Sequence, residues 1–570
     1  MKLLYVLCAL CGLIVGLIVP ARALDREAFT FTNYDLNVRV EPEQQRLAVR
    51  GRITLRNDSA SPQRSLVLQI SSSLDWRSIQ FDGKPLEYVD HEYTSDIDHT
   101  GALSEAIVSL AREVPSKGTV ELEVGYEGVI ALDTTRLTQI GMPEDKARHS
   151  DWDQISKSFT AVRGIGYVAW YPVATEAANL SEGNSVPETV GRWTVKHVDT
   201  TMELLFESTA PGPIMFSGAG GLGVVHVDPD IAKVAPFRMV RPGVNVPTFV
   251  IANYQTLTKD LITVEYLPGQ QDAAETYEEV AVQIDVPVGR GPGSLQILGL
   301  PDPDASPFVT EGMLLTPLKS PLTNEAELSL VYAKARRSVV APWAWIQDGL
   351  AHYAQAAFIE AQQGRQAALD YLNTHKAVLI GAEKQIAGKP GDRESTRSLI
   401  NAPDDLYLQT KAMDVWWMLK DMVGNTPNEA LFNYQVAEDK EPAYMQRLIE
   451  KQYHRDLQWF FDDWVYHDRG LPDFRVDSVF SRPIETGGFL VTITIENLGN
   501  AGAEVPVTLQ IEGGSEIRRR LEVHAKSKNS LRIESPSAPR QVIVNDGSVP
   551  ESDLSNNTYK IETQQKKTSD

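Results

Sequence analysis

The sequence predicts an α+β multidomain chain: a β-domain, then a mixed and largely helical domain, then a second β-unit. Three observations predict it. At 570 residues the chain exceeds what one core can organise. From Phe29 to about Tyr254 it reads as short segments of period-two alternation, with almost no sustained helical period. From about Thr256 strands alternate with long helical runs, and the alternation returns beyond Gly470-Leu-Pro472.

The N-terminus is Met1-Lys2, an apolar run from Leu3 to Pro20, then Ala21-Arg22-Ala23, a small-x-small site suited to signal peptidase. Residues 1–23 are therefore expected to be a cleaved signal peptide, with a retained membrane anchor as the rival. Both cysteines, Cys8 and Cys11, lie inside this segment. The mature chain then has neither disulfides nor thiolate metal ligands. The expected location is exported, periplasmic or extracellular, with no stable membrane insertion after cleavage. The formal net charge of −22 argues against a nucleic-acid partner, because an acidic surface repels a phosphate backbone.

Residues 24–255 are expected to form an antiparallel β-domain, beginning with the half-buried strands Tyr34-Asp-Leu-Asn-Val-Arg-Val40 and Leu47–Arg56. Ser217-Gly-Ala-Gly-Gly-Leu-Gly223 precedes a strand and not a helix, so it reads as a flexible turn and not as a phosphate cradle. Residues 256–472 open with strand Leu261–Tyr266, a helix around Ala273–Val282 and strand Ser294–Leu300. An almost wholly helical run from Asn324 to Gly364 follows, then helices at Gln366–His375, Leu406–Val423, Asn428–Tyr434, Ala443–Gln452 and Asp456–Tyr466, with Gly424 as a stop signal. Residues 473–562 return to alternation in Phe489–Glu496 and Val505–Glu512, the spacing of an immunoglobulin-like β-sandwich. Residues 563–570 read as a disordered tail.

The stretch Trp345-x-x-Asp348-Gly349-Leu350-Ala351-x-Tyr353 resembles the W-x-x-E-G-[FL]-A-x-Y helix of the gluzincin zinc aminopeptidases related to membrane alanyl aminopeptidase. Ala169-Trp-Tyr-Pro-Val173, Trp416–Gly424, Trp459–Trp464 and Gly470-Leu-Pro472 are similar to further segments of that family. The closing Asn545-Asp-Gly547 and Asn556-Asn557 are similar to small CARDB-type adhesion modules. The resemblance implies an aminopeptidase-like β-domain, a thermolysin-like peptidase domain and a zinc ion. In the family the Glu of that helix is the third metal ligand, and here Asp348 stands in its place.

The resemblance also implies an H-E-x-x-H helix just before, and no histidine stands there. In one register the two His positions fall on Glu325 and Ser329, with Ala326 at the general base. In the other, with a shorter loop, they fall on Tyr332 and Arg336, with Ala333 at the base. An arginine donates no lone pair and its fixed charge repels a dication. No cofactor is therefore expected, and Arg336 is expected to pair with Asp348. A relocated metal pair, Asp348 with His352 one helical turn on, is the alternative that would bring zinc back.

The family's peptide-binding loop corresponds to Phe308–Leu315, where Glu311 and Met313 stand in the wrong order. Its oxyanion tyrosine falls on Gln409, with Tyr407 two residues early. Glu311, Met313 and Tyr407 are the candidates for a substrate cleft. His454 and His467 read as structural or surface residues, and Asp404 or Asp405 as a helix start. Adjacent carboxylates such as Asp462 and Asp463 point to different sides of a helix, which argues against shared acid–base work. No G-x-S-x-G nucleophile motif is present.

The expectation is thus an aminopeptidase-like protein, its zinc site dismantled, that binds a peptide or protein ligand without catalysis or acts as a scaffold. Two rivals are a zinc aminopeptidase with relocated ligands and an envelope adhesion protein acting through its terminal sandwich.

Overall fold

The computed structural model describes residues 24–561 apart from 183–184, 210–211, 218–232, 241, 243–244, 287, 289–292, 340, 388–397, 401, 403, 425–427 and 486. The expected signal peptide, residues 218–223 of the Gly-rich turn and the tail 563–570 lie outside the described residues. Among the described residues no helix is long and apolar enough to cross a membrane.

Strand Phe29–Glu41 shows why the first domain is β: Tyr34, Leu36, Val38 and Val40 are buried while Asn37 and Arg39 face water. It sits inside a seven-stranded sheet, between Arg46–Asn57, its antiparallel partner, and Thr201–Ser208. The pairing with Thr201–Ser208 is parallel, which corrects the expectation of a purely antiparallel domain. Parallel strands need a long crossover, and here the chain travels through two further sheets and several helices before returning alongside. One of those helices, α1 (Ser185–Lys196), also departs from the helix-poor reading. It buries Val186, Thr189 and Trp193, a helical period too short to stand out among neighbouring loops. The Trp-Tyr-Pro segment is the domain's internal anchor. Trp170 and Tyr171 are fully buried, Tyr34 Oη donates to the Pro172 carbonyl at 2.8 Å, and Tyr126 Oη to that of Trp170 at 3.1 Å.

Sheet membership changes between Phe249–Ala252, which pairs with Phe159–Val162, and Gln255–Lys259, the edge of a five-stranded mixed sheet. In that sheet Ile262–Tyr266, Leu295–Leu300 and Met313–Pro317 run parallel, the first two linked by helix α2 (Gln271–Gln283). Helix α3 (Asn324–Ser338) starts where Thr323 accepts a hydrogen bond from Ala326 N. It carries Glu325 and Glu327 in its first turn and Arg336 and Arg337 in its last, both favourable to the helix dipole. Its Lys334 Nζ donates to the Ala281 and Ile284 carbonyls at the end of α2, which fixes the two helices together.

The helical run expected over 324–364 is broken after Ser338, and helix α4 (Ala344–Gln363) begins beyond Pro342. Helix α5 (Arg365–Ala387) runs twelve residues past the expected His375. Residues 376–387 are mostly strong helix formers, and Leu379 is buried on the same apolar stripe as Leu369 and Leu372, so the helix continues across Gly381. Helix α6 (Asp405–Val423) starts at Asp404, whose side chain accepts from Tyr407 N at 3.0 Å, and stops at Gly424 with φ +77°. Gly349 lets α4 and α6 touch: a Cβ there would lie 2.6 Å from Ala412 Cβ and 3.1 Å from the Trp416 ring. Trp345 stacks on Trp416 at 5.5 Å, and Trp416 Nε1 donates to the Trp345 carbonyl.

The helix expected over 456–466 is α-helical only at Gln458–Phe461 and widens to a π-helical turn at Asp462–Tyr466. The widened turn aims two side chains at the terminal β-unit: Trp464 Nε1 donates to the Gly502 carbonyl at 2.7 Å, and Asp463 Oδ2 accepts from Gly502 N at 2.8 Å. That unit consists of a three-stranded and a four-stranded antiparallel sheet. Its buried Val491, Ile493, Val507, Leu509 and Val542 belong to the same apolar core as α4, α6 and Trp464. The terminal unit is thus a wall of the helical domain. Trp464→Ala is expected to cost about 3–5 kcal/mol in urea unfolding. A chain ending at Pro472 is expected to lose cooperative thermal unfolding monitored by circular dichroism; retention of a native-like transition would contradict the shared core.

Candidate functional site

Two helices and one loop build the site. Tyr332 and Arg336 lie one turn apart on α3, and Asp348 lies in the second turn of α4, facing them. Arg336 Nε is 3.0 Å from Asp348 Oδ1, and Tyr332 Oη donates to the same oxygen at 3.4 Å. Both charged side chains are about nine-tenths buried, at 10% exposure each. A terminal nitrogen of Arg336 reaches Asn245 Oδ1 of the β-domain at 3.5 Å, so the guanidinium sits where the two domains meet. Ala333, at the expected base position, is buried and bears no titratable group. In the other register Glu325 is exposed and Ser329 Oγ donates to the Glu325 carbonyl of its own helix.

His352 packs its ring on Tyr332 at 4.7 Å, and its Nδ1 bonds Gln355 Oε1 at 3.2 Å. Gln355 Oε1 is an acceptor that also takes the Tyr371 hydroxyl, which leaves Nδ1 as the protonated nitrogen. Nε2 is buried without a hydrogen-bond partner among the described residues. Burial pushes the imidazole down to about 4, against the opposing pull of Asp348.

The cleft candidates do not converge on this site. Glu311 stands in the turn before Met313–Pro317, where Arg337 Nη1 faces it at 3.7 Å and packs over Gly312. Met313 is buried in its strand. Tyr407 donates to Asp468 Oδ2 at 2.8 Å and accepts from Lys411 Nζ at 3.2 Å, and Lys411 also contacts Asp468 Oδ1 and the Gly470 carbonyl. Gln409 is partly buried on α6. His454 and His467 are exposed, and Asp462 and Asp463 diverge, the first to Gln458 and the second to Gly502. A cavity of about 250 Å³ elsewhere, lined by Phe81, Leu110, Val114 and Val120, contains none of these residues. Sequence reasoning missed Asn245, Arg337 and Asp468. Only Arg337 carried a signal, as the neighbour of Arg336.

As a donor set for zinc the residues opposite Asp348 do not fit. A phenol and a guanidinium stand where the resemblance implies two imidazoles, and the guanidinium supplies charge of the wrong sign and no lone pair. Among the described residues no three His, Cys, Asp or Glu side chains group as a metal site.

The fold is a multidomain α+β architecture with a β-rich C-terminal region. No family model and no curated protein matches the chain. Among solved structures it is similar to Legionella pneumophila aminopeptidase A in complex with aspartic acid, with a TM-score of 0.53 and 14% identity over 94% of this chain and 60% of that one. It is also similar to an M1 zinc metallopeptidase from Deinococcus radiodurans, with a TM-score of 0.45 and 15% identity over 80% of this chain and 97% of that one. The chain spans 60% of the length of the Legionella protein, and the likeness to it shows a shared fold.

Two outcomes test the geometry. Arg336→Met or Asp348→Asn alone is expected to destabilise the protein by roughly 3–5 kcal/mol, while the double change Arg336→Met with Asp348→Leu recovers most of it in urea titrations. His352 takes up a proton in the unfolded chain near 6.5 but in the fold only near 4, so its contribution to stability is lost as pH falls through that window. An imidazole NMR signal that stays neutral at pH 5.5 is expected; protonation there would contradict the buried placement.

Proposed function

We propose that this chain is an exported, non-catalytic peptide-binding protein built on an aminopeptidase-like fold. The observation that supports it is the Arg336–Asp348 ion pair, in which a fixed cation lies against the carboxylate that the resemblance assigns to metal binding. A side-chain cation keeps positive charge at the junction of the two domains yet cannot lower the pKa of a bound water as a Lewis acid does. Peptide binding is favoured because such junctions are where concave ligand sites form, and Asn245 brings the β-domain to the same guanidinium. Export rests on residues 1–23, and the net charge of −22 disfavours nucleic acid as a ligand.

A zinc aminopeptidase with relocated ligands is the second reading, and one observation favours it: the lone pair of His352 Nε2 is unpartnered, one helical turn from Asp348. The experiment that separates them uses the purified full chain. Zinc content, hydrolysis of aminoacyl substrates with and without chelator, and calorimetric binding of a short-peptide library are measured together. The expected result is less than stoichiometric zinc, no chelator-sensitive turnover, and peptide binding that weakens in Arg336→Met. Stoichiometric zinc with chelator-sensitive hydrolysis would overturn the proposal.

A further inference from the structure

Helix α6 carries a carboxylate that the candidate site does not use. Asp414 is 1% exposed, and neither of its oxygens has a hydrogen-bond partner among the described residues. A bare carboxylate in a dry core strongly favours its neutral form. Two ammonium groups face it, and both are already engaged. Lys411, on the same helix, is held by Asp468, Tyr407 and the Gly470 carbonyl. Lys376, on α5, donates at 2.7 Å to the carbonyl of Gly547 in the terminal β-unit.

Lys376 is a hub between the helices and that unit. Its ammonium is within charge range of Asp414, Glu551 and Asp546. Asp546 is also 3.5 Å from Arg365 Nε. Glu551 accepts from Phe474 N at 3.0 Å and from Asn545 Nδ2 at 2.8 Å, and it contacts Asn557 Nδ2. Burial nevertheless pushes the Glu551 carboxyl up to about 7 against these donors, so it titrates in the same range as Asp414, which has no donor at all among the described residues.

We propose that Asp414 is a proton-operated latch: while neutral it leaves Lys376 bonded to the Gly547 carbonyl, and once ionised it draws Lys376 away and loosens the turn Asn545–Gly547 from α5. Nothing is transferred but the proton from the carboxyl to solvent, so the step balances without a further reactant. Burial pushes the Asp414 carboxyl from its ordinary 3.8 up to about 7, with Lys376 and Lys411 opposing. The stabilising contribution is therefore full below the unfolded value and is lost as pH rises through about 7. The closed latch is the acid form.

Hydrogen exchange of the full chain, corrected for intrinsic rates and followed by mass spectrometry from pH 6 to 9, tests this. Opening of peptides covering 545–551 and 371–379 is expected to rise as the pH approaches 7, by up to about tenfold per pH unit while one proton is released, and to level off above it. Asp414→Asn is expected to flatten that rise, and Lys376→Met to leave the turn open at every pH. The same profile in Asp414→Asn as in the native chain would overturn the latch, since Glu551 would then be the responding group. Should Asp414→Asn fail to fold, aspartate-labelled infrared spectra of the native protein decide. A protonated carboxyl band at pH 6 that vanishes by pH 9 supports the latch, and absence of that band at pH 6 overturns it.

Discussion

The contact on which most of the second half of the chain depends is the approach of α4 to α6 at Gly349. Any side chain there would collide with Ala412 and Trp416, so glycine sets the distance between the two helices. That distance stacks Trp345 on Trp416 and presents Asp348 to α3 on the opposite side. The motif residues around Asp348 are thus explained by packing alone. Chemistry at the site is decided by a different helix, where Tyr332 and Arg336 stand.

The terminal β-unit is tied to the same helices by charge as well as by apolar packing. Arg520 Nε is 2.8 Å from Glu504 Oε1 and its Nη1 is 3.2 Å from Asp421 Oδ2, while Arg365 Nη2 lies 2.6 Å from Asp421 Oδ2. Arg455 adds contacts to Glu504 and Glu522. Isolated surface pairs add little to stability, but a partly buried network that shares partners orders each side chain once for several contacts. With the bonds of Trp464 and Asp463 to Gly502 this gives the unit a fixed seat, and Lys376 bridges to it at Gly547.

Buried charge is handled in three ways in this fold. Arg163 is paired with Asp153 and sandwiched by the Trp152 and Tyr167 rings at 3.8 and 3.6 Å, so its charge is matched and its faces are covered. Arg336 and Asp348 match each other at the domain junction. Asp414 is matched by neither a donor nor an exclusive cation, and burial then makes its proton the cheaper partner. The first arrangement is purely structural, the second lies where the resemblance implies a metal, and the proposed latch would make the third couple the core to pH.

Much of this was legible in the sequence, because period and punctuation are local properties. The order β-domain, helical domain, β-unit, the start of α6 at Asp404 and its stop at Gly424 all follow from alternation, capping and glycine signals. The W-x-x-D-G-L-A-x-Y stretch, with two imidazoles missing before it, pointed to an aminopeptidase-like helix carrying an arginine. Local pattern could not reveal the parallel return of Thr201–Ser208, the π-helical turn at Asp462–Tyr466, or that Tyr407 turns to Asp468. Those depend on contacts between residues far apart in the chain. The pairing of Arg336 with Asp348 was expected from the sequence in one of two registers that loop length leaves open, and tertiary structure decided for it because the packing of α3 on α2 and α4 selects that register. It likewise decided that Asp414, an ordinary acid in sequence, lies beside Lys376 in a place without a donor.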